Sequence, residues 1–194
     1  SPPPPSPPPP AAPPAPQYIF SPRKGHTVYE LYEVVRLWCE YNTTAFYIEF
    51  PLLEPFGDIA AWPIGNVTSM FGLFGHSNCP SFNGDLSEWD VSRVTSMQEM
   101  FSGNTGFNRD LQFKNTSKLE NMRAMFYSTT LFNHEIDFNT SAVTDTQLLF
   151  SKALAFNQPV YFDTSSVTNM QSMFSHAVAF NQPVKLDTRR VTSM

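Results

Sequence analysis

Charged side chains are scarce in this sequence: Asp, Glu, Lys and Arg make up 15% of it, and the formal net charge is -5. A surface that binds nucleic acid needs clustered Lys and Arg opposite the phosphates, so this composition excludes that class of partner. No apolar run approaches the roughly 20 residues of a membrane-spanning helix. The chain starts at Ser1 without a recognisable signal peptide, as expected of a processed or fragmentary product.

Residues that carry catalytic or metal chemistry are also rare. The sequence has four histidines, and they share no metal-ligand spacing: His26, His76, His134 and His176. It has no nucleophile elbow, phosphate loop or acid pair. Asp90, Asp163 and Asp187 form a partial column, which Asx turns explain better than calcium does. We therefore expect no catalytic residue, no metal and no cofactor, and we predict that the protein is not an enzyme.

Proline is concentrated at one end, since 11 of the 18 prolines lie in residues 1–16. Each ring fixes φ near -65° and removes a backbone donor, so this segment is predicted to be a polyproline II tail. Residues 17–65 are predicted to form an N-terminal cap. Within it, apolar residues at helical spacing predict an amphipathic helix over residues 27–41, and a strand is predicted over residues 45–53.

Residues 66–194 contain about five tandem repeats. A Val-Thr-Ser-Met motif recurs at residues 67, 94, 119, 143, 167 and 191, at intervals of 27, 25, 24, 24 and 24 residues. An apolar residue followed by Phe comes next, and then a Phe-Asn pair. The i, i+3, i+7 spacing after each motif predicts a short helix, and alternation such as Val160 and Phe162 predicts a short strand. The predicted fold is an α/β repeat, an LRR-like solenoid of roughly 24-residue strand-plus-short-helix units.

Two polar columns run through the repeats. The Asn that follows each second-half Phe is predicted to form a structural ladder that satisfies backbone groups; its members are Asn83, Asn108, Asn133, Asn157 and Asn181. A threonine column also recurs, at Thr116, Thr140, Thr164 and Thr188. Its hydroxyls are expected to cap the following element, with a flat ice-binding row as the remote alternative.

The repeat motifs closely resemble those of BspA-like leucine-rich-repeat surface proteins. Residues 156–160, 163–170 and 173–174 carry the resemblance, which covers residues 66–194 and, weakly, the cap around residues 37–39. This resemblance implies a right-handed solenoid displayed on a cell surface. The Ser-Pro-Pro-Pro-Pro tail resembles extensins and other hydroxyproline-rich glycoproteins, which implies prolyl hydroxylation and O-glycosylation. The candidate positions are Ser1, Pro2, Pro3, Pro4, Pro5, Ser6, Pro7, Pro8, Pro9 and Pro10. A tail of this kind also occurs as a ligand of peptide-binding domains.

Four sequons predict N-glycosylation, at Asn42, Asn66, Asn115 and Asn139. Cys39 and Cys79 are the two cysteines, and in an oxidising compartment they could form a disulfide between the cap and the first repeat. Two buried free thiols are the alternative.

Taken together, these features predict a structural or adhesive extracellular glycoprotein of the cell surface, the cell wall, the matrix or a surface filament. It would assemble through its repeats and its polyproline tail. The expected partners are copies of itself or other matrix glycoproteins, together with covalent glycans, and neither nucleic acid nor a membrane span is expected. The alternative is a monomeric solenoid that binds host protein or carbohydrate.

Overall fold

The computed structural model describes residues 31–32, 35–36, 38–39 and 59–194. The predicted tail at residues 1–16, the predicted strand at residues 45–53, most of the predicted cap and the sequon at Asn42 lie outside these residues. The described positions between 31 and 39 are helical, and Leu31 and Val35 are buried. They fall within the helix predicted for residues 27–41. One 3-10 helix follows at Ile59–Ala61. The domain boundaries at residues 16 and 65 stay predictions.

From Ser69 onward the chain is a stack of similar layers, which we call rungs. Isolated parallel β-bridges join one residue of each rung to the next, in the series Ser69, Ser96, Asn121, Asp145, Asn169 and Ser193. We number the rungs from these residues: rung 1 is 69–95, rung 2 is 96–120, rung 3 is 121–144, rung 4 is 145–168 and rung 5 is 169–192. The bridges have the same spacing as the sequence repeats, so one repeat forms one rung.

The predicted α/β solenoid of strands and short helices is wrong. Residues 59–194 contain no helix of seven or more residues and no strand, and the rungs are built from turns and single bridges. In the segment predicted to be helical in rung 5, Ser172 and His176 have positive φ angles of 55° and 58°. A left-handed residue at every fourth position is incompatible with a right-handed helix. The apolar i, i+3, i+7 pattern is therefore produced by consecutive turns.

The backbone N–H groups of these turns bond to the next rung. In rung 4, the N–H groups of Leu148, Phe150 and Lys152 donate to the carbonyls of Gln171, Met173 and Ser175 at 2.9, 2.9 and 2.8 Å. Thr146 N–H donates to Asn169 in the same way, at 2.9 Å. Equivalent sets of four bonds join rungs 1 to 2, 2 to 3 and 3 to 4. We call this arrangement the forward ladder, because every donor in it points to the following rung.

The strand predicted around Val160 is also wrong, for a different reason. Val160 makes a single parallel bridge to Val184, with Val160 N–H donating to the Pro183 carbonyl at 3.1 Å. Pro159 and Pro183 have no N–H to donate. A β ladder between rungs 4 and 5 therefore cannot extend to the residues before Val160 and Val184.

The core is a double column of phenylalanine rings. Each rung contributes one stacked pair with centroids 3.8–4.4 Å apart: Phe74 and Phe82, Phe101 and Phe107, Phe126 and Phe132, Phe150 and Phe156, Phe174 and Phe180. Between rungs, rings within a column are 5.5–6.1 Å apart and nearly parallel. The column thereby buries a large apolar surface without regular secondary structure.

The first rung is covered by rings set edge-on. Trp38 contacts Phe82 at 5.9 Å with an interplanar angle of 64°, and contacts Trp62 at 6.4 Å and 87°. An edge-on ring offers no parallel face for another ring, so the stack ends at Trp38.

Across the described residues, none of the helices is long and apolar enough to cross a bilayer.

Candidate functional site

The exposed sequons lie at turns. Asn66, Asn115 and Asn139 are exposed. In the last two, the Oδ1 atom accepts bonds from the N–H and hydroxyl of the serine two residues later, at 3.3 and 3.0 Å for Asn115 and 2.9 and 2.7 Å for Asn139. These bonds leave the Nδ2 atoms, where N-linked sugars attach, without an acceptor in the described part of the chain. Asn66 differs, because its Oδ1 accepts a bond from the Arg93 guanidinium at 2.9 Å.

The asparagine column forms a continuous ladder. The side-chain Oδ1 of each residue accepts the backbone N–H of the corresponding Asn in the next rung, at 2.8–3.1 Å. These bonds run through Asn83, Asn108, Asn133, Asn157 and Asn181. Each one satisfies a backbone donor that the missing strand would otherwise have paired. Their geometry is that of a structural element.

Three of the four members of the threonine column are buried, and the fourth, Thr188, is exposed. Thr116, Thr140 and Thr164 are each 2% exposed. Their hydroxyls donate to the carbonyls of Asn139, Asp163 and Asp187 in the next rung, at 2.7, 2.9 and 3.2 Å. An ice-binding row needs exposed hydroxyls, so these three residues do not form one.

Cys39 and Cys79 are joined by a disulfide, with their Cα atoms 5.7 Å apart. The bond connects the helical segment to rung 1, on the side of the stack where Trp38 covers Phe82. It ties the segment that contains Trp38 to the first rung.

Acidic side chains form Asx turns at equivalent positions in the rungs. Asp90, Asp163 and Asp187 accept the N–H of the residue two positions later, at 3.0, 2.8 and 3.1 Å. Asn115 and Asn139 occupy the same position in rungs 2 and 3. The hydrogen bonds from Ser165 lower the pKa of Asp163, and those from Arg189, with its charge, lower the pKa of Asp187 to about 2. Within residues 59–194 and the described helical positions, no three His, Cys, Asp or Glu side chains cluster as metal ligands.

A row of amides follows the bridge residues. Asn121 donates to Gln98 at 3.3 Å, Asn169 donates to Gln147 at 3.4 Å, and Gln147 donates to Gln171 at 3.0 Å. We call this surface the amide face; it consists of Ser69, Ser96, Gln98, Asn121, Asp145, Gln147, Asn169, Gln171 and Ser193. Its members are partly or fully exposed. Sequence reasoning missed it, although the third position of every Val-Thr-Ser-Met motif is Ser, Asn or Asp.

A second polar feature lies on rungs 1 to 3. It is an open groove of about 520 Å³, lined by Asn83, Asp85, Ser87, Asn108, Arg109, Asp110, Gln112 and His134. Arg109 crosses between rungs, because its Nε donates to the Asn83 carbonyl at 3.1 Å. The groove therefore contains both donors, such as Arg109, and acceptors, such as Asp85 and Asp110.

Comparison with known protein families gives a match that covers the repeats. The family model described as "Mycoplasma protein of unknown function, DUF285" matches residues 49–158 and 136–194. The chain belongs to this family. DUF285 is a family of BspA-like surface proteins. Neither a curated protein nor a solved structure matches the chain significantly.

Proposed function

We propose that this DUF285 chain is a structural or adhesive extracellular protein of the cell surface or matrix, and that it acts by contact and not by catalysis. The observation that carries the proposal is the amide face. Its bridge residues, each Ser, Asn or Asp, repeat once per rung on a backbone held by four ladder bonds at each junction, and its glutamines lie beside them in rungs 2, 4 and 5. Hydroxyl and amide side chains can each donate and accept hydrogen bonds, so such a face suits many weak contacts with an extended polymer or a neighbouring protein.

Two further observations support an extracellular location. The chain belongs to a family of surface-protein type. The Cys39–Cys79 disulfide requires an oxidising environment in most organisms. In this proposal, the Pro-rich residues 1–16 are a stiff, hydroxylated and glycosylated spacer, and the sequons carry N-glycans. Mass spectrometry of the native protein for hydroxyproline and attached sugars tests that part separately.

The location is tested by brief protease treatment of intact cells that produce the protein. We expect the chain to be cleaved from intact cells while cytoplasmic markers survive. A chain protected until the cells are lysed would contradict the proposal.

The role of the amide face is tested with the full chain carrying Gln147→Ala and Gln171→Ala. We expect this variant to lose most binding to cell-surface or matrix preparations while its unfolding midpoint stays near that of the unchanged chain. The control is Lys114→Ala, whose side chain is 79% exposed in the other half of its rung. Equal loss in both variants would mean that the face has no special part in adhesion.

The groove on rungs 1 to 3 favours a second candidate function, the binding of a carbohydrate or a polar protein segment from a host. Arg109 and Asp110 together provide donors and acceptors for hydroxyl groups. A glycan-array signal from the unglycosylated chain that Arg109→Ala and Asp110→Asn abolish would support it. No signal on the array would leave the structural role as the better explanation.

A further inference from the structure

One member of the asparagine column has a different neighbour from the others. Asn83 is followed by Gly84, and this is the only Asn-Gly pair in the sequence. The next three members of the column are followed by Arg109, His134 and Gln158. A glycine has no side chain to shield its own peptide nitrogen, and it lets the backbone around that nitrogen rotate freely. Asn83 is therefore the member whose side chain the following peptide nitrogen reaches most easily.

The glycine at position 84 is required by the packing of the core. A Cβ atom added there would lie 2.8 Å from the Cε2 and Cζ atoms of Phe82 and 3.3 Å from the Cγ2 atom of Ile59. Phe82 is 3% exposed and stacks on Phe74 with 3.8 Å between the ring centroids. Its ring cannot move aside without disturbing the first rung. The core therefore keeps a glycine after Asn83, whatever the chemical consequence for that asparagine.

The side-chain amide of Asn83 and the peptide nitrogen of Gly84 are both available for reaction. Asn83 is exposed, and its Oδ1 atom accepts the backbone N–H of Asn108 at 3.0 Å. A donor on this oxygen stabilises the negative charge that develops there when a nucleophile attacks the Cγ atom. Among the described residues, no backbone carbonyl accepts a bond from the N–H of Gly84. No such bond has to break before the glycine nitrogen attacks.

We propose that Asn83 is a self-modification site, at which the peptide nitrogen of Gly84 closes a five-membered succinimide ring. The nitrogen loses its proton to solvent and forms a bond to the Cγ atom of Asn83. The bond from Cγ to the side-chain nitrogen breaks, and that nitrogen takes up a proton and leaves as ammonia. Water then adds to one of the two ring carbonyls, and the ring opens to aspartate or to isoaspartate. The net reaction is the hydrolysis of an amide by water, and it depends on neither proposed function.

The two products change the molecule in different ways. Aspartate keeps an acceptor for the Asn108 N–H and adds a negative charge to the groove that contains Asp85 and Asp110. Isoaspartate adds one carbon to the main chain, which displaces the bonds that Asn108 N–H and Arg109 Nε donate to Asn83 at 3.0 and 3.1 Å. One product therefore alters the charge of the groove, and the other loosens the junction between rungs 1 and 2.

The test incubates the folded full chain at mildly alkaline pH, where the glycine nitrogen loses its proton more readily. Peptide mapping by mass spectrometry follows the loss of ammonia and the gain of water at each asparagine. We expect deamidation at Asn83 to be at least about tenfold faster than at Asn108, Asn133 or Asn157, with both products at position 83. Equal rates at the four positions would overturn the proposal. So would an Asn83 that stays intact in the folded chain but deamidates in the urea-unfolded chain.

Two variants test the role of the following residue and of the side chain. His134→Gly places a glycine after Asn133, whose Oδ1 atom accepts the Asn157 N–H at 2.8 Å. Deamidation at Asn133 should become at least about tenfold faster, with the rate at Asn83 unchanged. Asn83→Gln requires a six-membered ring and should abolish the reaction at position 83. An unchanged rate at Asn133 in the first variant, or continued deamidation at position 83 in the second, would refute the succinimide route.

Discussion

The ring of Phe126 lies 3.9 Å from that of Phe132, inclined by only 7°, and the pair is enclosed by equivalent pairs in the rungs before and after it. Phe126 is 0% exposed. The Phe126–Phe132 pair is therefore the centre of the aromatic column, where each ring has partners on several sides. Phe180, in the last rung, has the same chemistry but a half-open environment.

This difference predicts a gradient in stability effects along the column. Phe126→Leu removes stacking and leaves a cavity, so it should lower the free energy of unfolding by about 1–3 kcal/mol. Phe180→Leu, at a partly solvated ring, should cost less than about 1 kcal/mol. Urea unfolding of the two variants measures both values, and equal losses would contradict a column that is buried at its centre and open at its last rung.

The left-handed turn positions predict a stabilising substitution. Glu99 has a φ of 57°, and the equivalent position in rung 1 is Gly72, with a φ of 61°. Glu99→Gly relieves about 1–2 kcal/mol of backbone strain and adds about 0.5–1 kcal/mol of chain entropy cost, so a net gain of up to about 1.5 kcal/mol in the free energy of unfolding is expected. The control is Gln98→Gly, beside it and outside the positive-φ positions, which should lose stability. Thermal unfolding that ranks the two variants in the opposite order would refute the strain argument.

The Asx turns predict a specific response to acid. The pKa of Asp163 is lowered from its ordinary value of 3.8 by the Ser165 hydrogen bonds. Its contribution to stability is therefore complete above pH 3.8 and is lost as the pH falls through the lower pKa of the folded state. Asp163→Asn should keep the turn, as Asn115 and Asn139 do, and remove part of the acid-induced loss. Unfolding midpoints between pH 5 and pH 2 measure this effect.

Two design points sharpen that experiment. Asp163→Asn creates an Asn-Thr-Ser sequon, so the protein should come from a host without N-glycosylation. The second acidic position, Asp187, has a pKa of about 2 because Arg189 and its N–H bind it. Asp187→Asn should remove the part of the stability loss that occurs near pH 2, where the Asp187 carboxylate becomes protonated. A midpoint profile unchanged in both variants would show that other carboxylates control acid unfolding.

The disulfide predicts a large effect at one end of the stack. Cys39→Ser with Cys79→Ser opens a link with a sequence separation of 40 residues. On the chain-entropy estimate this costs about 3–4 kcal/mol, lost mainly from the junction of the helical segment with rung 1. Chemical unfolding of the variant, and of the unchanged chain with and without reductant, measures the cost. Recovery of two free thiols by mass spectrometry of the native protein would contradict the bond itself.

The sequons predict unequal glycan occupancy in a host that glycosylates asparagine. The Oδ1 atoms of Asn115 and Asn139 accept bonds only from serines of their own sequons, whereas the Oδ1 of Asn66 accepts a bond from the Arg93 side chain, which therefore lies against the amide that would carry the sugar. Asn115→Gln and Asn139→Gln should each reduce the mass of the secreted protein by one glycan. The fraction of molecules that lose a glycan should be smaller for Asn66→Gln. Intact-mass measurement gives the occupancy. Serine-directed variants, Ser117→Ala and Ser141→Ala, should give the same mass loss because they remove the sequon without touching Asn.

The sequence predicted the spacing at which the rungs stack, but it did not predict the backbone conformation within a rung. The intervals between Val67, Val94 and the later motifs match the bridge spacing, because residues that stack on each other are constrained to be alike. The conformation inside a rung was predicted wrongly. Positive φ at Leu148 and Lys152 is imposed by ladder bonds to Gln171 and Ser175, and those partners lie 23 residues away. Local apolar periodicity cannot distinguish a helix from turns held by distant carbonyls.

The candidate surfaces were predictable to different degrees. The sequons follow from three letters of sequence, and their exposure follows from the turn residues around them. The amide face was not predicted, because the position of Gln98, Gln147 and Gln171 is filled by Phe71 and Arg123 in the other repeats. Gln147 and Gln171 are 24 residues apart in the chain and become neighbours only when it turns through a whole rung.

The forward ladder has an electrical consequence. Each of its bonds aligns a peptide dipole of about 3.5 D in the same sense, and the four bonds per junction repeat at four junctions from rung 1 to rung 5. One side of the stack therefore carries a column of aligned dipoles with its positive pole at rung 5. On the neighbouring side, N–H groups such as those of Thr144, Thr168 and Thr192 donate to the preceding rung and oppose this polarity. An anion at rung 5 should therefore bind more favourably on the side of the forward ladder than on that neighbouring side.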